Sequence, residues 1–308
     1  MISFRYREKG TVIHRLNPFC KLAWVGSVSV LALILDNPVF LLLLFLSTLP
    51  VVITAKVWRE WASFVKLALY LCLAIIVINA LVSYHGTHVL AQAPFRIPIM
   101  GTPTITLEAI FYGVAMCLRL LAIISAFAIL TFTIHPDDLM LSMIKMKLPY
   151  KSVLVTSLST RFVPTLIDDV ERITDVQRSR GLELDKGSLP QKIRDRMSII
   201  IPLLSNSLDR TVQVAEAMES RAFGSGTKRT FYREIRMSHI DVITLISGFL
   251  PCAFGIFMRL SGYGDYQYYP TLEGMNLSGL EWSMLMLMML LLSTVVLLAF
   301  VKRRFDLD

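Results

Sequence analysis

The chain of 308 residues is 55% hydrophobic and 18% charged, with a mean hydropathy of +0.60, whereas soluble domains hold about 45–50% apolar and about 25% charged residues. This composition excludes disordered, collagen-like and coiled-coil chains and argues against a soluble enzyme. The 31 basic residues exceed the 23 acidic ones, for a net charge of +8, and in a membrane protein such an excess marks cytoplasmic loops, not nucleic-acid binding.

The first residues carry Arg5, Arg7, Lys9 and Arg15 with no long apolar run, so this start does not read as a cleaved signal peptide. Six apolar stretches follow, at about 22–36, 38–55, 66–83, 107–132, 239–260 and 283–301. A bilayer is crossed by about 20 mostly apolar residues in a helix. The fold class expected is therefore an all-α membrane protein with about six transmembrane helices. Only Asp36-Asn37-Pro38 separates the first two, a turn signal that predicts a helical hairpin. The fifth stretch contains Pro251 between Gly248 and Gly255. Cys20, Cys72, Cys117 and Cys252 lie in or beside these stretches without a Cys-x-x-Cys, and read as small membrane-core residues.

Lys and Arg set the topology. Five lie at or before Lys21, three in 56–66, seventeen in 133–238 and three in Lys302–Arg304. This asymmetry puts both termini in the cytoplasm. The domains expected are a four-span region over 1–132, a cytoplasmic region over 133–238, and a two-span region with a basic tail over 239–308. In the outer loop, 84–106, alternating apolar residues around Gly101 suggest a short hairpin. His85 and His88 there read as solvated histidines ahead of metal ligands, because no carboxylate or cysteine stands nearby in sequence.

Several single residues have competing readings. Arg119 falls within the fourth span, where a charge must face protein or water; a structural hydrogen-bond centre is favoured over a contact to a substrate-binding partner. Arg259 sits near a span end and is expected to snorkel. Glu108 reads as a partner for the helix N-terminus. The methionines at 284, 286, 288 and 289 read as packing or lipid-facing surface.

The cytoplasmic stretch is not loop-like. Thr133-Ile134-His135-Pro136-Asp137-Asp138-Leu139 has a proline near the first helical position and acids in the first turn, a helix start. Helices are then predicted over about 158–180 and 190–222, both amphipathic. Phe162, Leu166, Val170, Ile173 and Val176 form the first apolar stripe. Ile193, Met197, Ile201, Leu204, Leu208, Val212, Ala215 and Met218 form the second, with a kink expected at Pro202. The two helices end alike, Arg178-Ser179-Arg180-Gly181 and Glu219-Ser220-Arg221-Ala222. Gly181 is a natural left-handed cap. Arginine complements the helix dipole at such an end, and its fork also pairs bidentately with a carboxylate, as lysine does not.

These motifs resemble the T component (CbiQ/EcfT-like), the transmembrane scaffold of energy-coupling factor (ECF) ABC transporters, over about residues 14–224. His14-Arg15-Leu16-Asn17-Pro18 with Lys21-Leu22 is similar to the family's entry motif, which usually has Asp where Asn17 stands. Leu118-Arg119-Leu120-Leu121 is similar to its fourth-span motif. Thr133 to Leu139 resembles its Thr-x-x-Pro-x-Asp-Leu turn, and Arg161-Phe162-Val163-Pro164 its Arg-Phe-x-Pro. Most specific are the two Ala-Arg-Gly-type triplets, here Ser179-Arg180-Gly181 and Ser220-Arg221-Ala222. Ala222 in place of glycine is expected to cost the second helix its left-handed cap at that place, with Gly224 the nearest substitute.

The resemblance implies a non-catalytic subunit of an ATP-driven importer of a vitamin or transition-metal ion. Two ATP-binding cassette ATPases would dock on the two triplets, and a small membrane S component would capture the substrate. Structural or coupling roles fall to Arg161, Pro164, Pro136, Asp138 and Arg119. No cofactor, metal or nucleic acid is implied. Gly-Lys occurs nowhere in the chain, so no phosphate-binding loop of the Gly-x-x-x-x-Gly-Lys type is present. An ordinary permease subunit forming the substrate path itself is the alternative. It requires polar residues lining several spans, and Asn79 and Arg119 are among few candidates. A membrane-embedded enzyme would need clustered acids and histidines, which only 133–139 approaches.

Overall fold

The computed structural model describes residues 9–82, 86–92, 104–146, 149–182, 189–225, 237–274 and 278–305. Its order is α1 (Pro18–Ile34), α2 (Pro38–Ala55), α3 (Trp58–Val82), β1 (Val89–Gln92), β2 (Thr104–Thr106), α4 (Leu107–Thr133), α5 (Pro136–Lys145), α6 (Tyr150–Ser179), α7 (Leu189–Ser220), α8 (His239–Leu260) and α9 (Gly279–Phe305). It is an all-α membrane protein in two compact units. One comprises Met1–Leu139 with Ile235–Asp308, and the other Met140–Glu234.

Among the described residues, α2, α3, α4, α8 and α9 are long and apolar enough to cross a membrane, and α1 is shorter at 17 residues. The six spans expected thus become five, plus one short apolar helix. Sequence cuts α1 at both ends. Asn17 caps its start, its side chain accepting from the Phe19 N–H at 3.1 Å, with Pro18 in the first turn. Asn37 repeats this on the Val39 N–H at 3.0 Å and starts α2 with Pro38. Cys20, Val28, Leu31, Ala32 and Leu35 are fully enclosed, so one face of α1 packs on protein, while Val30 and Leu33 stay exposed.

In the first unit α4 is central and packs on α1, α2 and α3; α1 also meets α8, and α9 lies against α8 and α2. The α1–α2 hairpin is therefore splayed, each arm packing mainly on other helices. Glycines let α8 approach α1. A Cβ on Gly248 would lie 3.3 Å from Ala23 Cβ and 3.4 Å from the Trp24 nitrogen, and Ser27 Oγ donates to the Gly248 carbonyl at 2.5 Å. Ser125 joins three helices, bonded to Thr48 Oγ1 and to Trp61 Nε1, each at 2.7 Å. The Cys117 thiol donates to the Cys72 carbonyl at 3.2 Å between α3 and α4. Cys20, Cys72 and Cys117 are buried and all four cysteines are free.

The basic stretch 56–66, expected as a loop, is mostly the first turns of α3. Lys56 and Val57 form the bend, Lys56 in a left-handed conformation. Charged residues at the start of a long helix leave its backbone bonding intact, so hydropathy places the span but not the helix start. Likewise α9 continues through the basic residues after Val301. Strands β1 and β2 pair antiparallel, Gln92 opposite Thr104; the turn expected at Gly101 lies outside the described residues.

In the second unit α6 is longer than the helix expected at 158–180, beginning at Tyr150, while α7 nearly matches the one expected at 190–222, and each continues past its internal proline, Pro164 or Pro202.

Candidate coupling site

Helices α6 and α7 run antiparallel. Arg210 on α7 pairs with Asp169 on α6 at 2.7 Å, and Gln177 Nε2 donates to the Ser198 carbonyl at 3.3 Å. The order reverses between the two chains: 169 meets 210, and 177 meets 198. Asp169 is buried, at 7% exposure. The two arginine-bearing ends consequently lead away from the contact in opposite directions.

Both ends have one backbone design. After α6, the Gly181 N–H bonds the Arg178 carbonyl at 2.9 Å and the Leu182 N–H bonds the Gln177 carbonyl at 3.0 Å. After α7, the Ala222 N–H bonds the Glu219 carbonyl at 2.8 Å and the Phe223 N–H bonds the Met218 carbonyl at 2.9 Å. Each is a Schellman turn, with bonds reaching three and five residues back around one left-handed residue. That residue is Gly181 at φ +87° and Ala222 at φ +54°. The expectation that alanine forfeits the cap is corrected. Ala222 adopts the left-handed conformation itself, at a cost of about 1–2 kcal/mol for an L-residue, and Gly224, at φ +93°, adds a further bend. Arg180 and Arg221 occupy the same place in the two turns, and both are exposed. The serines before them turn back, Ser179 Oγ onto the Asp175 carbonyl and Ser220 Oγ onto the Ala217 carbonyl, leaving the arginines outward.

The apolar stripes are present but open. Ile193, Ile201, Leu204, Leu208 and Val212 on α7, and Val170 and Val176 on α6, are exposed.

Pro136 opens α5, where the Asp138 and Leu139 N–H groups bond the His135 carbonyl at 3.0 and 3.1 Å. Arg161 and Pro164 are exposed on α6. Arg119 belongs to the first unit. Its guanidinium donates to the Leu35 carbonyl at 3.0 Å and to Asp36 at 2.8 Å. Arg259, in the last turn of α8, is ion-paired. It takes the other Asp36 oxygen at 3.0 Å and also pairs with Asp265. The same turn is covered by the segment after α8. The Asp36 and Asn37 N–H groups bond the Gly264 carbonyl at 3.2 and 3.3 Å, and the Tyr268 hydroxyl donates to the Asp36 carbonyl at 2.5 Å. Burial, then the Asp36 carboxylate, raise the pKa of the Tyr268 phenol well above its ordinary value.

Four contacts were not read from sequence. Lys21 Nζ donates to the Thr133 carbonyl at 2.7 Å and the His14 carbonyl at 3.1 Å, so the entry-motif lysine covers the carbonyl end of α4. Lys302 pairs with Asp241 at 2.7 Å. Glu108 is fully buried and accepts from the Thr87 and His88 N–H groups and, at 2.8 Å, from the His88 ring. His88 is thus anchored to a carboxylate twenty residues on and is not merely a solvated loop residue. The fourth is Asp169–Arg210, whose signal is register: Asp169 precedes Arg180, and Arg210 precedes Arg221, by the same eleven residues.

Among the described residues no group of three or more His, Cys, Asp and Glu side chains gathers to hold a metal ion.

The sequence model of the CbiQ family, cobalt transport proteins, matches residues 9–232. The chain is 30% identical over 267 residues to the energy-coupling factor transporter transmembrane protein EcfT of Streptococcus equi subsp. equi, an alignment covering 84% of this chain and 95% of that protein. It is 31% identical to EcfT of Lactococcus lactis subsp. cremoris over 260 residues (80% and 93%), and 25% identical to EcfT of Bacillus subtilis over 268 residues (84% and 98%).

Proposed function

Because the chain belongs to the CbiQ family of transporter membrane proteins, we propose that it is the T component of an ECF-type importer and transmits ATP-driven movement from two cytoplasmic ATPases to a substrate-binding S component. In this reading 1–132 and 239–308 lie in the cytoplasmic membrane, 133–238 is the coupling region, and both termini face the cytoplasm. Arg180 and Arg221 each enter one ATPase, with their flanking residues Ser179, Gly181, Ser220 and Ala222 forming the docking turns. The cargo is a vitamin or a transition-metal ion chosen by the S component.

The observation that carries the proposal is the identity of the two Schellman turns. Arginine at a helix end has a bland explanation in the dipole. That explanation does not account for two ends with the same bonds, a left-handed residue at the same position and an exposed arginine before it, with Ala222 held there against its own preference. Two equivalent fingers suit two equivalent acidic clefts. The exposed stripes on α6 and α7 supply apolar surface for the S component. The permease alternative loses support, because the guanidinium of Arg119 is engaged by Leu35 and Asp36.

The test is capture of the tagged chain from its native membranes in mild detergent, with partners identified by mass spectrometry. Two ATPase subunits and a small, very apolar membrane protein support the scaffold reading. A folded chain recovered without an ATPase overturns it.

A further inference from the structure

Building on that reading, we propose that the Asp169–Arg210 ion pair is the clamp that fixes the spread of the two coupling arginines, which makes Asp169 and Arg210 positioning residues for energy coupling. The argument begins with distance along the helices. Arg180 lies eleven residues beyond Asp169, and Arg221 eleven beyond Arg210. At 1.5 Å per residue each arm is about 16 Å, or three turns, so each arginine returns to nearly the same side of its helix as its clamp residue. Neither arm, 169–180 or 210–221, contains proline or glycine; both internal prolines, Pro164 and Pro202, lie before the clamp. The arms are therefore stiff and equal, and they leave a shared pivot in opposite directions.

The pivot itself is charged and enclosed. The Asp169 side chain is 10% exposed and the Arg210 side chain 30% exposed, at 2.7 Å. A charge-assisted bond of this kind is directional, and removing one partner leaves a largely desolvated charge. Gln177 on Ser198, at 3.3 Å, adds a second polar contact on the Arg180 side, while Ile201, Leu204 and Leu208 near the pair remain exposed. Apolar contact is non-directional and tolerates sliding. The ion pair instead sets one register between the helices, and that register sets where both arginines stand.

The experiment places spin labels at positions 175 and 216, exposed sites near the two ends, in a background without other reactive cysteines. Double electron–electron resonance is read on the chain alone in nanodiscs and on the complex with its ATPases, beside ATP-driven uptake in proteoliposomes. Asp169→Asn, Arg210→Ala and the swap Asp169→Arg/Arg210→Asp are compared. Expected are a broadened 175–216 distance distribution and uptake lowered about tenfold in each single variant, the scale of a close pair's coupling energy. ATPase capture should stay within about twofold of the parent, and both losses should recover in the swap. Asp169→Asn preserves shape, so its distribution is readable even if Arg210→Ala fails to fold. An unchanged distribution or unchanged uptake in Asp169→Asn overturns the clamp, as does a folded swap without recovery. If the parent chain captures no ATPase, the docking reading fails, but the distance measurement on the chain alone still decides whether the pair sets the spread.

Discussion

Arg119 and Asp36 form a 2.8 Å ion pair that crosses from the middle of α4 to the turn between α1 and α2. Arg259 takes the second oxygen of the same carboxylate at 3.0 Å, so one anion serves two cations. Loss of the anion should therefore cost more than loss of either cation. Asp36→Asn should destabilise the protein by about 1–3 kcal/mol, and Arg119→Met by less, since Arg259 still compensates the carboxylate. Thermal unfolding in detergent reads the order. The reverse order would give Arg119 a task beyond holding this turn.

The left-handed residue of each arginine-bearing turn gives an opposite pair of expectations. Ala222→Gly relieves a conformational penalty and should stabilise the end of α7 by about 1 kcal/mol, slowing amide exchange there about fivefold. Gly181→Ala should destabilise the end of α6 by a similar amount. Hydrogen exchange over 176–182 and 217–223 measures both. Equal exchange in parent and Ala222→Gly would mean that the second turn is not held as described.

Docking by two equivalent arginines predicts symmetry. Arg180→Ala and Arg221→Ala should each weaken ATPase capture about tenfold or more, as for a hot-spot residue, and the double variant should lose more than either. Arg180→Lys should recover only part, because the fork is lost. Normal uptake by the double variant with ATPases still bound would remove the arginines from the coupling mechanism.

The close approach of α8 to α1 is sensitive to bulk. Gly248 faces the Trp24 backbone, whereas a Cβ on Gly255 would meet the end of the Leu31 side chain, which can turn aside. Gly248→Leu should cost about 1–3 kcal/mol, and Gly255→Ala less. Thermal unfolding of the two variants compares them directly.

Lys302 and Asp241 test the tie between α9 and α8. Asp241 is 2% exposed, so Lys302→Met should cost about 3 kcal/mol by stranding a buried charge. Adding Asp241→Asn should restore at least half of that stability in the same unfolding measurement. No restoration would place the loss in α9 packing alone.

Much of this was legible in the sequence because it depends on local chemistry. Apolar runs located the spans, Asp36-Asn37-Pro38 marked the turn between the first two, Thr133–Leu139 marked a helix start, and the two triplets located the helix ends. Contacts between distant residues were not legible. Nothing adjacent to Asp36 signals that Arg119 and Arg259 converge on it, and nothing beside Lys21 signals the Thr133 carbonyl. The start of α1 at Pro18, ahead of the apolar stretch from about 22, was not legible because hydropathy marks the apolar run and not the helix that extends beyond it. Ala222 was not legible as a cap because intrinsic preference opposes a turn that its local backbone bonds hold.

The bond between Asp241 and Lys302 also bears on how the protein is made. The carboxylate at the start of α8 emerges from the ribosome 61 residues ahead of its lysine. Until that lysine arrives, α8 carries an acid at the edge of an apolar segment, and such a charge disfavours stable residence in lipid. The α8 acid thus gains its cation only once α9 has been made, and the ion pair ties the last helix back to a carboxylate 61 residues earlier.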